Sequence, residues 1–249
     1  MTTDTHNIAL QRFRRLAWIT IAAVYFLILV GASVRASGAG MGCPDWPTCF
    51  GQWIPPTSEA QLPDNYQEIY AELGYADTRF NVVKTWTEYS NRLTGVTIGF
   101  LILLTAIYSW YCREHDSSIF KASVAAFIMV GFQGWLGAQV VGSNLQPGMI
   151  TLHMLVALAL VGALLFAVAQ ARRGIMAAQP VTALDPRFQT WLYIVIGLTI
   201  VQVAMGTQVR EMTDFISRAQ GEELRSSWIE AMPWFFYVHR SFSAVVLFS

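Results

Sequence analysis

Six polar side chains stand where apolar stretches open, and their types are those that hold protons, anions or metal ions: Glu88, Asn91, Arg92, His153, His239 and Arg240. Glu88, Asn91 and Arg92 are spaced i, i+3 and i+4, so on a helix they share one face. A carboxylate beside an apolar slab can accept or orient a proton, a guanidinium can grip an anion with two parallel hydrogen bonds, and an imidazole can ligate a metal. The plain alternative is an interfacial ion pair whose stems lie along the apolar surface. A second stretch of similar layout, Val238-His239-Arg240-Ser241-Phe242-Ser243, weighs against that alternative, because there too an arginine opens an apolar run behind a polar side chain.

The elements that position these residues are readable from where charge is missing. Apolar and aromatic residues make up 54% of the 249-residue chain and charged ones 13%, about half the charged share of an ordinary soluble domain. The formal net charge is zero, which gives nucleic acid nothing to bind. Windows 16–34, 93–112, 122–171 and 188–209 carry no Asp, Glu, Lys or Arg. A helix needs about 20 residues to cross the hydrocarbon layer, so each window holds one or two spans. The long window breaks at Gly142-Ser-Asn-Leu-Gln-Pro-Gly148, a turn signal, and reads as two. The fold class is therefore all-α, a polytopic bundle of transmembrane helices. Six spans are expected, near 16–36, 88–112, 122–142, 150–171, 188–209 and from His239 onward. Only nine residues follow Arg240, so the sixth span is expected to be incomplete and the sequence truncated.

Residues 1–15 read as a cytoplasmic tail, with Arg12, Arg14 and Arg15 ahead of an apolar run too long for a signal-peptide core. The 16 Lys and Arg residues divide evenly between the two sides. With Arg35, Arg92, Arg210 and Arg240 set aside as site residues at helix mouths, the remainder places the N-terminus inside. The longest outer loop, 37–85, holds Cys43 and Cys49 around Pro-Asp-Trp-Pro-Thr, close enough to bridge in an oxidising compartment if geometry allows, with two unpaired thiols as the alternative. A short helix is expected over 64–73 and outer loop again over 211–233.

A short motif recurs. Gly31-Ala-Ser-Val-Arg35, Gly137-Ala-Gln-Val-Val141 and Gly206-Thr-Gln-Val-Arg210 each close an outward-running span. Each is followed by a returning span whose first turns hold Asn91, His153 or His239, with the small residues Gly95, Ala157 and Ser243 four positions deeper on the same face. Imidazoles at repeated helix mouths, flanked by arginines, suit axial ligation of haem iron with propionates on Arg35, Arg92, Arg210 and Arg240, and the small residues suit a flat macrocycle. Ordinary close helix packing favours the same small residues.

The stretches Gly31-Ala-Ser-Val-Arg-Ala-Ser-Gly-Ala-Gly-Met-Gly-Cys-Pro-Asp-Trp-Pro-Thr-Cys-Phe-Gly51, Glu88-Tyr-Ser-Asn-Arg-Leu-Thr-Gly95 and Gln133-Gly-Trp-Leu-Gly-Ala-Gln-Val-Val141, together with His153 and His239-Arg240, resemble the haem A synthase family. The resemblance covers nearly the whole chain in order. It implies an eight-helix membrane enzyme of two four-helix halves, here 16–173 and the start of a second at 188–249, joined by a cytoplasmic linker at 174–187. It implies oxidation of a haem O methyl group to a formyl group for terminal oxidases, with haem b as resident cofactor and haem O as substrate. Glu88 matches the family's proposed catalytic glutamate, and Cys43 and Cys49 its loop pair; His239 would serve haem b, and His153 would face the substrate haem opposite Asn91 and Glu88. The family pattern has histidine where this chain has Asn91, and an amide is a poor iron ligand, which leaves His153 as the clear axial donor of the N-terminal half. The implied setting is a bacterial inner membrane with the haem sites toward the outer face. The implied partners are haem O, membrane lipid, haem O synthase and terminal oxidase subunits, with the electron acceptor open. Two other readings stay in view: a non-catalytic b-type haem carrier and an oxidase assembly factor.

Overall fold

The computed structural model describes residues 3–76, 78–176, 186–220 and 226–248, with the side chains of 3–6, 174–176 and 218 left out. The linker expected at 174–187 and the loop expected at 211–233 fall partly on 177–185 and 221–225, outside the described residues. Seven α-helices lie among those described: α1 Thr3–Ala36, α2 Tyr66–Ile69, α3 Val82–Ser109, α4 Ser117–Gly142, α5 Pro147–Met176, α6 Pro186–Gln220 and α7 Trp234–Phe248. Five are long and apolar enough to cross a membrane, over Asn7–Ala36, Val82–Cys112, Ser117–Gly142, Pro147–Arg173 and Pro186–Ser217. The protein is an all-helical, polytopic membrane bundle. The sixth expected span is α7, whose 15 residues reach about 22 Å.

Helix ends follow local chemistry. Asn81 caps α3 by accepting from the Lys84 amide at 3.0 Å, and Asp116 caps α4 by accepting from the Ser118 amide at 2.8 Å. α1 closes where Gly38 turns left-handed, φ 65°, and the Ala39 amide reaches back to the Val34 carbonyl at 3.0 Å. Prolines 147 and 186 open α5 and α6, at the position where a missing amide proton costs nothing. α6 departs from expectation. It runs on to Gln220 where an outer loop was expected from 211, held by the Arg210–Asp214 pair one turn apart at 3.3 Å and without a Gly or Pro to stop it.

Two compact units are present among the described residues, 3–145 with 156–176 and 146–155 with 186–248, so α5 contributes to both. In the first, Phe13, Ala17 and Ile21 of α1 pack with Ile102 of α3, Ala126 of α4 and Leu164 of α5, all buried. The alanines let backbones approach where lipid supplies no hydrophobic drive between helices. The hydroxyls of Thr20 and Thr105, both fully buried, meet at 2.7 Å and join α1 to α3. In the second unit Thr151 of α5 and Thr207 of α6 meet in the same way, also at 2.7 Å.

The loop between α1 and α3 has its own small core. Cys43 and Cys49 form a disulfide and are fully buried. Phe50, in left-handed backbone at φ 55°, is met edge-on by Tyr66, Tyr70, Tyr75 and Phe80 at 5.3–6.2 Å between centroids. Asp45 ties the hairpin, its carboxylate accepting from the Thr48 hydroxyl and from the amides of Phe50 at 2.5 Å and Gly51 at 2.9 Å. The Tyr75 hydroxyl donates to the Met41 carbonyl at 2.8 Å, and burial pushes its phenol above the ordinary value, which keeps it a donor. The expected short helix is present as α2 followed by a 3-10 turn at Ala71–Leu73.

This core docks on the mouth of α3. The Thr85 hydroxyl donates to the Gly42 carbonyl at 2.8 Å, the Trp86 ring N–H to the Pro56 carbonyl at 3.3 Å, and the Tyr89 hydroxyl to the Trp53 carbonyl at 2.5 Å. Gly42 is pressed against the helix backbone: a Cβ there would sit 2.3 Å from the Lys84 carbonyl oxygen.

Two tests follow from these contacts. Gly42→Ala must lift the loop from α3, at a cost of about 1–3 kcal/mol, and chymotrypsin should then cut at buried Phe50 well before it cuts wild type; equal rates would show that the loop can shift freely. Asp116→Ala should cost about 1 kcal/mol at neutral pH, read as a lower thermal midpoint in detergent. The Ser118 amide holds the Asp116 carboxyl below the usual carboxylate range. Its stabilisation is therefore present above the ordinary pKa of about 3.9 and lost as pH falls through the depressed folded value. The gap between wild type and variant should close on acidification, and a gap that persists would remove the cap from the account.

Candidate functional site

Glu88 lies in the second turn of α3 and is 4% exposed. A carboxylate that deep beside an apolar slab must be paired and hydrogen-bonded. Its Oε2 accepts from the Cys43 amide at 2.9 Å. Its Oε1 accepts from Arg92 twice, from Nη2 at 2.5 Å and from Nε at 3.2 Å. The i, i+4 spacing read in the sequence brings these two side chains together.

Arg92 does more than neutralise Glu88. Its Nη1 donates to the carbonyls of Asp45 at 2.6 Å and Thr48 at 2.9 Å, and its Nη2 donates to the Cys43 carbonyl at 3.2 Å. A guanidinium has five N–H bonds, and these contacts use all five. Arg92 was expected to meet a propionate; here its donors are engaged within the protein. Removing either member of such a buried pair costs about 3–5 kcal/mol, because the other charge is stranded.

Asn91, on the same face, is half-buried, and its Oδ1 is buried without a hydrogen-bond partner. It faces Gly31 of α1, where a Cβ would stand 3.9 Å from that oxygen. In the second unit the same geometry recurs with a different side chain. His239 of α7 lies against Gly206 of α6, where a Cβ would stand 3.2 Å from Cε1 and 3.6 Å from Nε2. Its Nδ1 is buried and unpartnered, and Gln202 holds its backbone carbonyl at 3.1 Å. The glycine that opens the repeated motif is thus the contact point for the polar residue of the returning helix, in both units.

The other expected residues are placed as follows. His153 is half-buried near the start of α5, in the segment belonging to the second unit, two residues from the Thr151–Thr207 contact. Arg35 occupies the last turn of α1. Arg210 pairs with Asp214, and Arg240 is exposed beside His239 on α7. Among the described residues no three His, Cys, Asp or Glu side chains converge; a haem iron takes imidazole singly as an axial ligand. The buried, unpartnered Nδ1 of His239 and the glycine cradle against its ring fit that role.

Sequence reading missed Asp45, Thr85 and Gly42 as parts of the site. For Gly42 and Asp45 the signal lay in the dense Gly-Cys-Pro-Asp-Trp-Pro-Thr-Cys run, where Asp after Pro marks a turn that binds its own backbone.

Comparison with known proteins agrees with this geometry. The chain is 31% identical over 189 residues to a protein named Heme A synthase from Shewanella oneidensis, covering 74% of this chain and 54% of that one. It is 27% identical over 203 residues to one of the same name from Methylobacterium radiotolerans, covering 76% and 53%. A third, from Alkalihalophilus pseudofirmus, is 31% identical over 144 residues, covering 57% and 41%. The chain spans about half the length of the curated relatives it matches. No solved structure matches it. The family described as COX15-CtaA, cytochrome oxidase assembly protein, matches residues 14–248, nearly the whole chain, and the chain belongs to that family.

Proposed function

We propose that the protein acts as a haem A synthase, oxidising a methyl group of haem O to a formyl group for terminal haem-copper oxidases. The observation that carries this reading is the imidazole of His239, seated on a glycine with its Nδ1 buried and unpartnered, in a chain whose relatives bear that name. His239 would hold a resident haem b, with exposed Arg240 beside it as the cation for a propionate, and His153 would ligate the substrate haem. The bound haem supplies the redox chemistry. Glu88 would orient or accept a proton: Oε1 accepts two bonds from the Arg92 guanidinium, while Oε2 accepts from the neutral Cys43 amide, so Oε2 is the atom proposed to take it. The setting proposed is a bacterial inner membrane with the N-terminus in the cytoplasm, the haem sites outward, and haem O synthase and oxidase subunits as neighbours.

Expression in cells that make haem O, followed by haem extraction, tests the activity: a formyl-bearing haem is expected, and haem O left unchanged would favour a b-type carrier or an assembly factor. His239→Ala should abolish the resident b-type spectrum. Glu88→Gln should keep that spectrum and slow formyl formation by about 10²-fold or more; full product formation would remove Glu88 from the chemistry.

Asn91 marks where this chain departs from its own repeat. Asn91→His should move any haem bound at that mouth toward six-coordinate, low-spin iron, because imidazole is the stronger ligand. An unaltered spectrum of the bound haem would show that residue 91 does not face the iron.

A further inference from the structure

We propose that Arg92 is a positioning residue, a latch that holds the Cys43–Cys49 loop on α3 and thereby fixes the carboxylate of Glu88, with the redox state of the disulfide as its control. The proposal goes beyond the haem reading and rests on the loop geometry alone.

Three carbonyl oxygens, from Cys43, Asp45 and Thr48, converge on one guanidinium. Backbone carbonyls of neighbouring residues ordinarily diverge. They converge here because the chain between residues 43 and 49 is a closed ring, covalently through the disulfide and internally through Asp45. The planar fork of arginine reaches all three while still facing Glu88; a lysine, with three N–H bonds radiating from a single nitrogen, has too few donors and no fork to do so. The Cys43 residue closes the circuit, since its amide donates to Glu88 Oε2 while its carbonyl accepts from Arg92. Glu88, Arg92 and the ring therefore form one hydrogen-bonded unit, whose carboxylate geometry depends on contacts between residues 44 to 49 apart in sequence.

Linkage gives the consequence. The latch bonds form to the closed ring, so they favour the disulfide over the two thiols, and weakening the latch must make the disulfide easier to reduce. In the reducing step a dithiol such as dithiothreitol attacks the Cys43–Cys49 bond. The S–S bond breaks, two electrons and two protons leave the reagent to give two cysteine thiols, and the reagent closes to its cyclic disulfide.

The test uses the full protein purified in detergent without added haem, equilibrated in dithiothreitol redox buffers. Alkylation and peptide mass spectrometry count free thiols at Cys43 and Cys49, and circular dichroism checks that helicity is kept. Arg92→Lys should shift the equilibrium at least tenfold toward the thiols, equivalent to about 30 mV more oxidising for a two-electron couple. In the same variant the Cys43 amide should exchange its hydrogen at least tenfold faster. If Arg92→Lys leaves both readouts unchanged, Arg92 does not latch the ring and the proposal fails. Wild type supplies a variant-free check. Reduction of its disulfide should raise Cys43 amide exchange at least tenfold, and exchange that ignores the disulfide overturns the proposal whatever the variant does. Because no haem is present, neither failure bears on the haem A reading.

Discussion

Burial of one carboxylate at the edge of an apolar slab governs the loop between α1 and α3 and its seat on the mouth of α3. Glu88 at 4% exposure needs a counter-charge, and the helix supplies one a turn deeper at Arg92. That only moves the requirement along, because the remaining guanidinium donors are themselves shielded from water. Loop carbonyls satisfy them, which demands a ring tight enough to aim three oxygens at one point. The disulfide, the Asp45 turn and the glycine that lets the backbone lie on α3 all follow from that demand. The aromatic core around Phe50 then braces the ring from the outside.

The repeat works by a different constraint. Gly31 and Gly206 each leave room on one helix for a polar side chain from the next long helix. The glycine sets how close the helices come and does not select the chemistry of what arrives. Asn91 and His239 occupy that place in the two units, an amide at 3.9 Å from the built Cβ and an imidazole at 3.2 Å. One scaffold therefore presents two side chains of very different donor strength. The threonine pairs, Thr20–Thr105 and Thr151–Thr207, show a second feature shared by the two units, a hydroxyl contact joining neighbouring helices.

Much of this was legible in the chain. A run of about 20 residues without charge has few fates other than crossing lipid, and the five long spans were found that way; the turn at 142–148 was read from its Gly, Asn and Pro residues. The Glu88–Arg92 pair was legible because i, i+4 spacing is a property of the helix itself. The end of α6 was not, because Arg210 marks where the apolar face ends and says nothing about where backbone hydrogen bonding ends. Nor was the fate of Arg92, since its partners are backbone oxygens 44 to 49 residues away, and a carbonyl is the same in every residue. Spacing predicts neighbours on one element; it is silent on which main-chain atoms a distant loop will bring.

That silence matters for how Glu88 can act. With Oε1 saturated by Arg92, any group that exchanges a proton with this carboxylate must approach Oε2, beside the Cys43 amide. A glutamate at a helix mouth reads as open to whatever occupies the bundle. Here the loop stands over it with the Cys43 amide on Oε2, so whatever shifts the ring also shifts a hydrogen bond that orients the carboxylate.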